Sequence, residues 1–130
     1  MENNRLYKRE KLCSHTAVNL LFAQGKSAIY YPLRAVFRVG DARPEAPVRF
    51  LITIPKKKIR KAVGRVLLRR RVREAYRLNR NLLMPAVADA EKSVDVAFIY
   101  LSNEPVHYAE IEQRMQALLQ KITKSIADEP

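Results

Sequence analysis

Apolar and polar positions along the chain alternate between two periods, and each period predicts an element. Leu20, Leu21 and Phe22 give one apolar side to a short helix over 17–23, which Ser14 or Thr16 can cap and Gly25 can end. Ile29 to Val39 reads as a strand: Leu33, Ala35, Phe37 and Val39 alternate with Arg34, Val36 and Arg38. Pro32 marks an edge position or a break near its start. GDARPEAP, residues 40–47, is a loop, and Val48 to Ile54 is a second strand, compatible with a hairpin partner of the first. Pro55 ends it. A helical segment then runs to about Met84, where Pro85 is expected to stop it. Asp95 to Leu101 reads as another strand. Beyond Pro105, a last helix from Tyr108 to Ile126 shows one apolar stripe of Tyr108, Ile111, Met115, Leu118, Leu119, Ile122 and Ile126. The order is helix, two or three strands, helix, strand, helix. It predicts an α+β fold, a small α/β sandwich with helices packed on one sheet. With 130 residues and no internal repeat, the chain suits a single domain.

The central helix contains a change of phase. Ile59, Val63 and Val66 share one face, whereas Leu68, Val72, Ala75 and Tyr76 share a nearly opposite one. A chain this small does not bury two opposite faces of one straight helix, and Gly64 is a poor helix-interior residue. The regular helix is therefore expected to start near 62–65, after an extended basic connection over 55–61. In the later phase Arg69, Arg70, Arg73, Arg77 and Arg80 fall on the side opposite the apolar residues, with Glu74 placed to pair with Arg70, Arg71 or Arg77.

Charge sharpens this. The formal net charge is +12, yet 48% of residues are apolar, so the chain is no disordered basic tail. Between Lys56 and Arg80 stand 12 basic residues and one acid; the rest of the chain carries 13 bases and 12 acids. Nearly all the excess lies in one window, which points to nucleic acid or an anionic membrane surface; a merely solvated helix face usually mixes both signs. Guanidinium groups grouped at helical spacing suit phosphate oxygens but do not separate DNA from RNA.

Other chemistry is sparse. Cys13 is the single cysteine, so an intrachain disulfide and a multi-cysteine zinc site are excluded, and a small half-buried residue is a better reading than a nucleophile. His15 and His107 lack companions at ligand spacing, and Asp41, Glu45, Asp89, Glu91 and Asp95 form no metal pattern. No apolar run approaches a membrane span and residues 1–12 have no apolar signal core, so a cytoplasmic protein with a basic, irregular and flexible N-terminus is expected.

Residues 61–80, KAVGRVLLRRRVREAYRLNR, resemble the signature of the bacterial ribonuclease P protein subunit, an Arg-Asn-x-x-Lys-Arg-x-x-Arg-Glu pattern after Lys-Ala-Val. Arg65 matches its first arginine, Arg69 and Arg70 the Lys-Arg pair, and Arg73 and Glu74 the Arg-Glu pair; Arg77 also fits. RLYKREKL at 5–12 and FAQG at 22–25 resemble the family's N-terminal pattern. Val66 departs from the usual asparagine and Leu67 from a frequent arginine. Counted forward from Lys8 and Arg9, Leu12 meets a family aromatic position; counted back from Gly25, Val18 and Phe22 meet the aromatic pair, and the second count is preferred because those two are four apart on one helical face.

The resemblance implies a fold like the second domain of a small-subunit ribosomal protein, with a left-handed βαβ crossover. It implies a subunit without catalytic residues of its own, which supports removal of the 5′ leader from precursor tRNA by a catalytic RNA using Mg2+ held mainly by that RNA. Lys56, Lys57, Lys58, Lys61, Arg65, Arg69, Arg70, Arg73 and Arg77 would then face the catalytic RNA. Val18, Phe22, Tyr31, Arg34, Phe37 and Arg38 would line the leader cleft. Aromatic rings offer stacking surfaces for unpaired bases, but Phe22 admits a core reading equally and Phe37 fits one better. Arg34 and Arg38 either flank a leader phosphate or form a plain exposed strand face. The implied partners are the catalytic RNA and precursor tRNA, with no membrane and no obligate protein partner. Competing readings are a ribosomal or other structural RNA-binding protein, a DNA-binding module whose helix lacks Asn or Gln base readers, and a membrane-surface helix with too small an apolar face.

Overall fold

The structure is a computed structural model that describes residues 10–12, 14–43 and 45–127. Cys13 and the segment 1–9, for which the sequence suggested particular roles, lie outside the described residues. The elements are α1 (His15–Gln24), β1 (Lys26–Tyr30), β2 (Leu33–Asp41), β3 (Val48–Thr53), α2 (Ala62–Asn79), a 3-10 turn (Arg80–Leu82), α3 (Met84–Ala90), β4 (Lys92–Tyr100) and α4 (Tyr108–Ala127).

The four strands form one sheet in the order β1-β2-β4-β3. β2 is antiparallel to both β1 and β4, whereas β3 runs parallel to β4. Four expectations change. The single strand over 29–39 is two strands, because the chain reverses at Tyr31 and Pro32 (joined by a cis peptide bond) into a β1–β2 hairpin. β2 and β3 are not hairpin partners, since β4 lies between them. Pro85 does not stop a helix; it stands in the first turn of α3, where a missing N–H costs nothing. α2 ends earlier, at Asn79.

Side chains alternate across the strands, so the sheet has two distinct faces. Leu33, Ala35, Phe37, Val48, Phe50, Val94, Val96, Phe98 and Tyr100 share one face and form the main core with Leu68, Val72, Ala75 and Tyr76 of α2 and the stripe of α4. The other face contributes Val36 and Ala97 to a smaller cluster with Leu12 and Leu21, against which Ala17 and Val18 of α1 pack. Helices thus cover both faces, the larger core lying under α2 and α4.

Ser14 caps α1 through a side-chain oxygen that accepts from the Ala17 N–H, and Gly25 closes it. A side chain at Gly25 would sit on the Leu21 carbonyl and 2.9 Å from Val36 Cγ1, so only glycine lets α1 turn directly into β1. Gly64 answers a similar demand in α2: an added Cβ would lie 2.9 Å from Ile59 Cγ2, where the basic connection folds against the helix. Its helix-propensity cost is therefore accepted for close packing.

Glu10, Lys11 and Leu12, the last three residues of the segment expected to be flexible, are tied to the fold. The Leu12 N–H donates to the Phe50 carbonyl at 2.8 Å, and Lys11 bridges to Phe50. The Glu10 carboxylate accepts from Arg80 Nη1 at 2.6 Å, both side chains being about nine-tenths buried. Arg80 accordingly belongs to the interior and not to the arginine face of α2, because the chain leaves the helix at Asn79 and turns it inward.

Candidate nucleic-acid interface

α2 buries Leu68, Val72, Ala75 and Tyr76 and turns Arg69, Arg70 and Arg73 into solvent. Arg77 shares that side but is paired with Glu74, its Nε donating to Oε2 at 3.1 Å. The guanidinium hydrogen bond holds the Glu74 carboxyl below its ordinary range and raises Arg77. Arg65 folds back, donating to the carbonyls of Ile59 and Arg60 at 3.1 and 2.7 Å, so it fastens the connection to the helix. Lys56 and Lys57 are exposed in a turn that precedes α2, Lys58 is half-buried, and Lys61 is the N-cap residue. Arg71, set to one side, donates to the Val106 carbonyl at 2.8 Å. The outer face of α2 therefore keeps three adjacent arginines that make no salt bridge or hydrogen bond to a carboxylate among the described residues, a density of positive charge that phosphate neutralises.

A second basic surface lies on the opposite side of the sheet, beside α1. The pairing register sets Ile29, Arg34, Ile99 and Thr53 in one row, Ser27, Val36, Ala97 and Leu51 in the next, and Arg38, Asp95 and Arg49 in a third. Val18 is half-buried against this face, while Phe22 is 48% exposed. Tyr31 is 61% exposed at the hairpin tip. Arg34 donates from Nε to Ser27 Oγ at 2.9 Å, which fixes its direction across the sheet. Arg38 faces Asp95 in the register, yet that carboxylate is already taken: Arg49 binds both its oxygens at 3.0 and 2.9 Å, and Arg43 binds Oδ1 at 2.9 Å. The same bonding raises Arg49 above its ordinary value. Arg38 is left without a hydrogen bond or ion pair among the described residues.

Phe37 is the correction at this site. It is 3% exposed and packs in the main core, because odd-numbered β2 positions face α4. Its ring offers no stacking surface beside α1. Sequence reasoning missed Arg43 and Arg49. The alternation of Val48, Phe50 and Ile52 with Arg49, Leu51 and Thr53 signals Arg49 on the α1 face; nothing in the 40–47 loop signals that Arg43 reaches Asp95.

Among the described residues no three His, Cys, Asp or Glu side chains gather as a metal site would require, and Asp95 is saturated by arginines. The described residues do not fit a bound magnesium ion. No helix among the described residues is long and apolar enough to cross a membrane.

A family model described as Ribonuclease P matches residues 6–123. The chain belongs to the bacterial ribonuclease P protein family. The ribonuclease P protein component of Porphyromonas gingivalis is 36% identical over 121 residues, spanning 93% of this chain and 88% of that one. That of Chlorobaculum tepidum is 38% identical over 104 residues, 75% of this chain and 68% of that one. The solved structure of the ribonuclease P protein from Thermotoga maritima superposes with a TM-score of 0.67 at 25% identity, covering 86% of this chain and 96% of that one. The Staphylococcus aureus ribonuclease P protein shares the fold, with a TM-score of 0.66 at 17% identity over 88% and 95% of the two chains. As a ribonuclease P protein, the chain is the protein subunit of a ribonucleoprotein endonuclease whose chemistry is carried out by its RNA component.

Proposed function

We propose that the protein holds the catalytic RNA on α2 and the basic connection, and the single-stranded 5′ leader of precursor tRNA on the sheet face beside α1. The observation that carries this reading is the separation of the two basic surfaces. α2 lies on one face of the sheet with its arginines pointing away from it; α1, Phe22, Arg34 and Arg38 lie on the other. Two RNA ligands can therefore occupy the molecule at once. Phosphates on Arg34 and Arg38 would give affinity without sequence preference, and Phe22 and Tyr31 would give bases a surface. Val18 would line the cleft beside them. The magnesium ions used in leader removal would sit on the RNA, in keeping with the lack of a carboxylate cluster among the described residues. This role calls for neither a membrane nor an obligate protein partner, and we take the protein to work in the cytoplasm, with the precursor pool.

The test is precursor tRNA cleavage by the RNA subunit in magnesium, with and without the protein. The protein alone is expected to be inactive; with the RNA it is expected to favour precursor over mature tRNA. Phe22→Ala should reduce that preference, since stacking contributes about 1–3 kcal/mol per base, while leaving the RNA subunit bound. A Phe22→Ala protein that melts earlier yet keeps its full precursor preference would move the leader to another surface.

A further inference from the structure

The first two turns of α2 carry, on their outer face, three aliphatic side chains that a solvated helix has no need of. Val63 is 82% exposed and Val66 and Leu67 are 44% exposed each, and their spacing of three and four sets them on one side of the first two turns. Two grooves run beside them. The first, about 600 Å³, has Val63 and Pro105 in its walls and four cations, Lys57, Lys58, Arg60 and Lys61, around it, with no acid among its lining residues. The second, about 420 Å³, is separate: Leu67 and Tyr108 stand in its walls, with Arg70, Arg71, Arg73 and Glu74 around it. The bond from Arg71 to the Val106 carbonyl ties the opposite wall to the helix, so the grooves are held open by the fold.

Aliphatic walls under a cationic rim select one kind of ligand. A paired RNA stem presents phosphates and sugars, for which the apolar walls are useless. A hydrophobic peptide matches the walls but not four lysine and arginine charges. An unpaired nucleotide offers both an apolar base face and a phosphate on either side. We infer that the groove at the start of α2 seats an unpaired nucleotide of the catalytic RNA. Its base would lie against Val63 and Pro105, with Leu67 extending the apolar surface one turn further along the same side of α2; its flanking phosphates would lie on Lys57, Lys58 and Lys61, and the Asn103 amide would supply a donor and an acceptor for the base edge. This inference rests on the reading that α2 faces the catalytic RNA, and it adds that part of that interface is a base taken out of the stack.

The experiment compares RNA-subunit binding by the wild type, by Val63→Ser with Leu67→Ser, and by Lys57→Gln with Lys58→Gln and Lys61→Gln, each over a salt series. The serine pair is expected to weaken binding about tenfold with an unchanged salt slope, since it removes apolar surface and leaves every cation in place; the glutamine set should flatten the slope by about one unit for each phosphate no longer neutralised. A photoreactive benzophenone side chain at position 63 should crosslink to a nucleotide that chemical probing shows to be unpaired. Wild-type affinity of a folded serine pair, or a crosslink to a paired stem, to a second copy of this chain or to another polypeptide, overturns the inference. Loss of binding on replacing Arg69, Arg70 and Arg73 in the same series would still support the broader reading. A wild-type protein that binds no RNA subunit removes both.

Discussion

Tyr76 sits at the centre of the core with its ring between those of Phe50 and Phe98, at centroid distances of 4.7 and 5.6 Å. Its hydroxyl is buried without a hydrogen-bond partner among the described residues. Burial pushes the phenol far above its ordinary value, the Glu10 carboxylate adds to the rise, and Arg80 opposes it. An unsatisfied buried hydroxyl costs free energy that its removal recovers, so Tyr76→Phe should stabilise the protein by about 1 kcal/mol. Tyr76→Ala should cost about 3–5 kcal/mol through the cavity it leaves. Urea unfolding decides the matter, and a clear loss in the Phe variant would show that the hydroxyl is bonded after all. At this scale the sequence was legible where a period applied: the α4 stripe from Ile111 to Ile126 is buried as the 3.6-residue spacing requires. It was not legible where an interaction joins distant residues. Arg80 continues the helical spacing of Arg73 and Arg77, and only the fold brings Glu10, 70 positions away, to its guanidinium.

The phase change in α2 was readable as an element boundary, and the helix begins at Ala62. The reason is physical: Ile59 is buried in the core from the connection, whereas Val63 and Val66 stay outside. The role of Pro85 was not readable, since proline both follows helices and starts them, and the choice depends on whether the chain turns at 80–83. With its boundary set, α2 offers Arg69, Arg70 and Arg73 side by side. Replacing all three with glutamine keeps helix propensity and an extended polar side chain but removes the charge. The expected outcome is weaker RNA binding and a shallower dependence of log K on log salt, by roughly one unit for each phosphate left without its arginine. Filter binding over a salt series measures both, and unchanged values at matched folding would remove α2 from the RNA interface.

Across the whole molecule, three tyrosines tie stability to alkaline pH. Tyr76, Tyr100 and Tyr108 are all raised, chiefly because burial disfavours the phenolate, and Tyr108, with the Glu112 carboxylate beside it, is pushed up to about 12. An acid raised on folding holds its proton more tightly in the folded state. The stability it contributes is complete below the ordinary value of about 10 and is lost as pH climbs from there toward the folded value. Urea midpoints should therefore hold to about pH 9 and fall by about pH 11, with phenolate absorbance rising as the fold is lost. A flat midpoint across that window would show these phenols to be solvated. Fold class was legible at this scale from the element order, as was one basic window. The order of the strands was not, because β4 is inserted between two strands that precede it in the chain.

That insertion has a consequence for how the protein is made. A ribosome delivers β1, β2 and β3 first, but the strand that joins them is completed only at Tyr100. Until then the β1–β2 hairpin and β3 share no ladder, and each keeps an unpaired edge. The entire arginine-rich window, Lys56 to Arg80, emerges during this interval, ahead of the strand that completes the sheet. The nascent chain thus displays its positive charge near ribosomal RNA before it has a core to carry it, and the arrival of one late strand closes both halves together.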